Sequence, residues 1–163
     1  MNVELRTFKP KDFNAVSRIY EEGIATGMAT FETDIPDWTT WNKKYSDACR
    51  IVASSNGAVV GFAVLSEVSK RDVYKGVAEV SVYVKNEYHG NGIGESLLKQ
   101  LIIESEAHGF WTLQASIFSE NIPSIALHEK CGFRTVGIRE KIGKLKGTWH
   151  DNHFLEKRSK IIN

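Results

Sequence analysis

Hydrophobic and polar residues change their period several times along this chain, and each change marks an element. "VAEVSVYVK" alternates strictly: Val80, Val82 and Val84 fall on one side, Glu79, Ser81 and Tyr83 on the other. That is the pattern of a strand with two different faces. Downstream, Ile93, Leu97, Leu98, Leu101 and Ile102 recur at helical spacing, which predicts a helix reaching about Ala107 with Gly109 just past its end. "VELRTF" reads as a first strand. Phe13, Val16, Ile19 and Tyr20 then define a helix for which Asp12 is the expected N-cap. "WTTWNKKYSDA" predicts a short helix, and "RIVASSNGAVVGFAVLSEV" a hairpin turning at Asn56-Gly57. "WTLQASIF" is another strand. "NIPSIALHEKCGF" is a short helix that starts near Asn121 and stops at Gly132. "RTVGIREKIGKLKGTWHDNHFLEKR" gives two strands joined near Gly147. "ATFETDIPD", with a buried-looking Phe31, and "KRDVYKG" are loops. The order is mixed α/β, with strand–helix–strand in the middle.

One stretch is costly for its place. Gly90, Gly92 and Gly94 crowd the entrance of the central helix, although each glycine costs roughly 0.5–1 kcal/mol relative to alanine in a regular element. A helix entrance offers unpaired N–H groups and a positive dipole end, and glycines let a phosphate approach them. A P-loop would need Gly-Lys-Ser/Thr, which is absent. The dinucleotide spacing G-x-G-x-x-G fails too, because its last position falls on Glu95 or Leu97.

Composition narrows the classes. With 163 residues, three prolines and no repeat or low-complexity linker, residues 1–163 read as one domain. A net charge of +1 gives no argument for a nucleic-acid or membrane partner. No apolar run approaches the roughly 20 residues of a membrane span. The charged opening "MNVELRTFKPKDF" is not patterned as a signal peptide. Cys49 and Cys131 are the only cysteines, which fits a cytoplasmic location. No Cys/His cluster suggests a metal. His150 and His153, three apart on a predicted strand, would point to opposite faces.

The loop His89-Gly90-Asn91-Gly92-Ile93-Gly94 resembles the Arg/Gln-x-x-Gly-x-Gly/Ala pyrophosphate loop of the GCN5-related N-acetyltransferases, the GNAT superfamily, with His89 in place of the leading Arg or Gln. "EVSVYV" precedes it as that family's central strand does, and "NIPSIALHEKCGF" resembles the family's later Asn-to-Gly-Phe segment. "TFETDIPD", "AEVSVYV", "SIALHEKCGF" and "GTWHDNHFLEK" together resemble the phosphinothricin and methionine-sulfoximine acetyltransferase branch.

The resemblance implies a bent, mixed, mostly antiparallel sheet flanked by helices and split between central parallel strands. It implies acetyl-CoA as acetyl donor, a small amino acid or analogue as acceptor, and a homodimer. Backbone at Val82, Tyr83 and Val84, the loop from His89 to Glu95 (Gly90, Asn91, Gly92, Ile93 and Gly94 between them) and Asn121 would bind the donor. Glu79, the only acid on its strand, would serve as base, given enough burial to raise its pKa. His128 stands where relatives carry the tyrosine that protonates the leaving thiolate; it would be either an acid or a packing residue. For the acceptor, Phe31, Glu32, Arg71, Asp72, Val73 and Tyr74 are the candidates, with the Arg71 fork suited to a carboxylate. Trp149 and Asp151 would shape the subunit contact or pocket, and Cys131 would be a buried apolar residue. Other acceptors (a protein N-terminus, a polyamine, an antibiotic) and a CoA-binding sensor with little turnover remain open at this point.

Overall fold

In the computed structural model, which describes residues 1–163, the first half of the sheet is antiparallel. It runs β1 (Val3–Thr7), β2 (Ile51–Ser55), β3 (Ala58–Glu67) and β4 (Val77–Val84), each paired with the next. β5 (Thr112–Phe118) lies parallel to β4. β6 (Arg134–Leu145) and β7 (Thr148–Arg158) complete the order β1-β2-β3-β4-β5-β7-β6. A parallel pair needs a crossover, and α3 (Ile93–Ala107) supplies it. The other helices are α1 (Phe13–Ala25), α2 (Trp38–Lys44) and α4 (Ile122–Lys130).

The sheet is covered on both sides, and the strand alternation decides what goes where. Ile51, Ala53, Ala63, Leu65 and Val80 turn toward the apolar stripe Leu97, Leu98 and Leu101 of α3. Val52, Phe62 and Val64 turn the other way, onto Val16, Ile19 and Tyr20 of α1 and Trp41 of α2. This is why β2 is buried along its whole length and reads as continuous rather than alternating hydrophobicity.

Asp12 corrects one expectation. It occupies the position before α1, but its side chain accepts no N–H of that helix. Instead the buried carboxylate meets the Arg6 guanidinium through two bonds of 2.8 and 2.9 Å and accepts the Lys9 N–H at 2.8 Å. A buried carboxylate needs a cation more than a helix needs a cap. That hydrogen-bonded pair with Arg6 also holds the Asp12 carboxyl below the usual carboxylate range. Elsewhere side-chain caps hold: Asp37 opens α2 through Thr40 N, and Asn121 opens α4 through Ser124 N. α2 ends at Lys44, earlier than expected, because Tyr45 turns extended and bridges to Ser66 on β3.

The feature that creates the site is the brevity of the parallel pairing. β4 and β5 are registered only at Val77–Thr112, Ala78–Leu113 and Glu79–Gln114. Beyond that, each strand stays paired with its outer neighbour while the two separate. The sheet is therefore mixed, mostly antiparallel and split at its parallel pair, as the resemblance implies.

Candidate active site

The fork between β4 and β5 opens a crevice of about 890 Å³ that passes through the sheet. Alternation sorts its walls. Glu79, Ser81, Tyr83, Ser116 and Phe118 face the α1 side; Val80, Val82, Val84, Ala115 and Ile117 face α3 and α4.

Glu79 stands at the crotch of the fork. Gln114 Nε2 and Ser116 Oγ, both from β5, donate to its Oε1 at 3.3 Å. Both donors use the same oxygen, so Oε2 stays open to the crevice. Tyr45 closes this side; burial pushes its phenol up to about 12, so it stays protonated. Tyr83, stacked on Phe62 and edge-on to Tyr20, is likewise held protonated by burial. The segment from Thr26 to Glu32 forms the roof, anchored where Phe31 packs on Phe118 with ring centroids 4.4 Å apart.

On the other face lies the glycine loop. Gly92 is the N-cap of α3 in the left-handed region (φ +75°), and no side chain caps the helix. Gly90 is also left-handed (φ +79°), and a Cβ at either would meet nothing within 4 Å. These glycines serve backbone conformation and leave open space above the first-turn N–H groups. Gly94 serves packing: a Cβ there would sit 3.2 Å from Leu127 of α4. The uncapped amides and bare surface form a cradle into which a diphosphate fits.

Several expected ligand contacts are used otherwise. The His89 ring donates from Nε2 to Val84 O at 2.7 Å, tying the loop to the end of β4. Asn91 donates to Tyr88 O and His89 O and does not line the crevice. Glu95 lines it, but its carboxylate pairs with Lys130 at 2.5 Å and Lys99 at 2.6 Å, which hold its pKa down to about 2. Asn121 lines the crevice while capping α4.

His128 is buried against Phe133, not on the helix surface. Its Nδ1 lies 2.7 Å from Ser124 O. A carbonyl only accepts, so Nδ1 carries the proton and Nε2 of the neutral ring is an acceptor. Burial lowers the pKa below the ordinary histidine value. At neutral pH the ring lacks the second proton that an acid at Nε2 needs.

Phe31 and Glu32 line the crevice, whereas Arg71, Asp72, Val73 and Tyr74 do not. Those four form an exposed turn in which the Arg71 guanidinium lies over the Tyr74 ring at 5.4 Å. Trp149 is exposed, and Asp151 accepts the Lys141 N–H in a bulge of β6. His150 pairs with Glu120 and His153 with Thr135. Sequence reasoning missed Lys44, Tyr45, Ser116, Asn152 and Lys130, all in the walls. Alternation along β5 and β7 was the only signal for Ser116 and Asn152; Lys44, Tyr45 and Lys130 depend on tertiary approach.

A through-sheet crevice thus joins a carboxylate at its crotch to bare helix amides on the far side, an arrangement suited to a phosphate-bearing carrier. The description "Acetyltransferase (GNAT) domain" matches residues 5–154, and the chain belongs to that family. It is 31% identical to the phosphinothricin N-acetyltransferase of Streptomyces viridochromogenes, over 95% of this chain and 87% of that one. It is 26% identical to the L-methionine sulfoximine/L-methionine sulfone acetyltransferase of Pseudomonas aeruginosa, over 96% and 94%. The crystal structure of a phosphinothricin acetyltransferase from Sinorhizobium meliloti in complex with AcCoA superposes with a TM-score of 0.87 at 30% identity, covering 99% of this chain and 96% of that one.

Proposed function

We propose that residues 1–163 form one N-acetyltransferase domain that moves acetyl from acetyl-CoA directly to the primary amine of a small amino acid or analogue of the phosphinothricin or methionine sulfoximine type. The observation that carries this reading is the fork: it connects a cradle for the diphosphate on one face to Glu79 on the other. Acetyl-CoA supplies the activated acyl group. The first-turn amides of α3, from Ile93 to Glu95, receive its diphosphate, and the free edge of β4 at Val82, Tyr83 and Val84 receives its amide-bearing arm and the acyl carbonyl. Fixed N–H dipoles there stabilise developing negative charge without reorganising. The open Oε2 of Glu79 takes a proton from the acceptor ammonium, directly or through water, while Gln114 and Ser116 hold the group in place. His128 walls the carrier channel and gives up no proton; the second proton lost by the attacking nitrogen passes through water to the departing thiolate, which leaves as the free thiol. A homodimer belongs to the same reading, supported by Val136, Ile138 and Ile142 exposed along β6, and so does a cytoplasmic location, supported by the free thiols Cys49 and Cys131.

A panel of primary amines with acetyl-CoA, following free thiol, tests this. Release with amino-acid acceptors above that with polyamines and peptide N-termini is expected. No release with any amine, beside measurable CoA binding, would replace the enzyme by a sensor.

A further inference from the structure

We propose that Lys44 holds the carboxylate of the amino-acid acceptor. This rests on the transfer reading above and names the acceptor class for the same site.

The crevice is lined by two strong cations, Lys44 and Lys130. Lys130 lies on the α3–α4 face and is committed to Glu95. Lys44 is on the Glu79 face. It ends α2, and the next residue, Tyr45, bridges to Ser66, which stands opposite Glu79 in the β3–β4 register. Tyr45 and Tyr83 pack in the same apolar cluster, on the α1 side of the sheet. Lys44 thus takes the part that the sequence suggested for Arg71, which lies outside the crevice.

Its present partner is weak. Lys44 Nζ is 3.8 Å from Glu32 Oε1, and both side chains are about half exposed or more. Such a pair contributes little in water, so an incoming carboxylate can take over the ammonium. An amino acid brings one positive and one negative group, and Glu79 and Lys44 offer one opposite charge to each. A plain diamine would set its second cation against Lys44.

Most exposed lysines are solvated surface charges with freely moving stems. What distinguishes Lys44 is the clamp around its backbone. Arg50, buried, donates from Nε to Ser46 O at 2.7 Å, from Nη1 to Asn42 Oδ1 at 2.7 Å, and from Nη2 to Asn42 O at 3.1 Å and Tyr45 O at 2.7 Å. Residues on both sides of Lys44 are therefore fixed, and the guanidinium is itself held 5.0 Å from the Trp41 ring centre. So the origin of the lysine stem is set by the core.

The test compares L-methionine sulfone with its carboxamide in the full chain, for wild type, Lys44→Met and Lys44→Arg. A charge-assisted contact contributes roughly 1.5–3 kcal/mol, or about 10–100-fold. Wild type should prefer the acid by about that factor in kcat/KM. Lys44→Met should bring the ratio toward unity through KM, with kcat nearly unchanged, and Lys44→Arg should restore most of it. An equal ratio in wild type, or a preference retained by Lys44→Met, overturns the assignment while thiol release continues. No release from wild type with either acceptor overturns the transfer reading and this one with it.

Discussion

Gln114 donates to Glu79 across the last registered position of the parallel pair, at 3.3 Å, where β4 and β5 part. The general base proposed here is therefore held by the strand on the far side of the fork. Because its fold contribution is confined to two hydrogen bonds of that length, removing its charge separates chemistry from stability. Glu79→Gln should lower kcat about 100-fold or more, the low end for general-base assistance, with a melting temperature close to wild type. Equal kcat across the pH range would remove Glu79 from the reaction.

The His128 imidazole is held below its ordinary value by burial, partly offset by its bond to Ser124. The folded protein therefore binds its proton less readily than the unfolded chain. Stability from this group is complete above the unfolded value of 6.5 and is lost as pH falls from there toward the folded value. The melting temperature of wild type should decline between about pH 7 and pH 5. His128→Gln, which keeps a donor for Ser124, should flatten that decline. It should also retain most activity at neutral pH, since the ring gives up no proton there.

Gly92 caps α3 in a left-handed conformation. Gly92→Ala should cost about 1–2 kcal/mol in denaturant unfolding, and Gly92→Asn less, because asparagine tolerates that region. Both put atoms into the open space over the helix amides. The KM for acetyl-CoA should rise more than that for the acceptor; equal rises would deny the cradle its role.

Arg50 satisfies several backbone and side-chain oxygens from within the core. Arg50→Leu leaves them buried without a donor, and the expected loss is about 3 kcal/mol or more. In urea the midpoint should fall with an unchanged slope, as for a loss of stability without a change in the surface exposed.

Much of the proposed donor side was legible because it is local. The alternation of Val80 to Val84, the glycine run and the Asn121 start all sit within short stretches, and each kept its predicted element. On the proposed acceptor side, Glu79, Phe31 and Glu32 were named from the sequence and do line the crevice, but Lys44 was not, because it reaches the wall only through α2 packing its tryptophans and the Tyr45 bridge. Arg71 was attractive as a residue type, yet its turn is exposed. Asp12 obeyed the rule for a helix cap in sequence and a stronger electrostatic demand in space, since Arg6 on β1 is invisible to a local pattern.

A sheet that opens halfway along two strands is also an unfinished sheet. His89 takes the Val84 carbonyl, but the other main-chain groups on the inner edges of β4 and β5 have no strand beside them past Glu79 and Gln114, and unpaired strand edges are available for further pairing. Whatever fills the gap acts as a temporary eighth member of the assembly. Its occupancy should raise the unfolding temperature in proportion to the logarithm of its concentration and slow hydrogen exchange along residues 80–84.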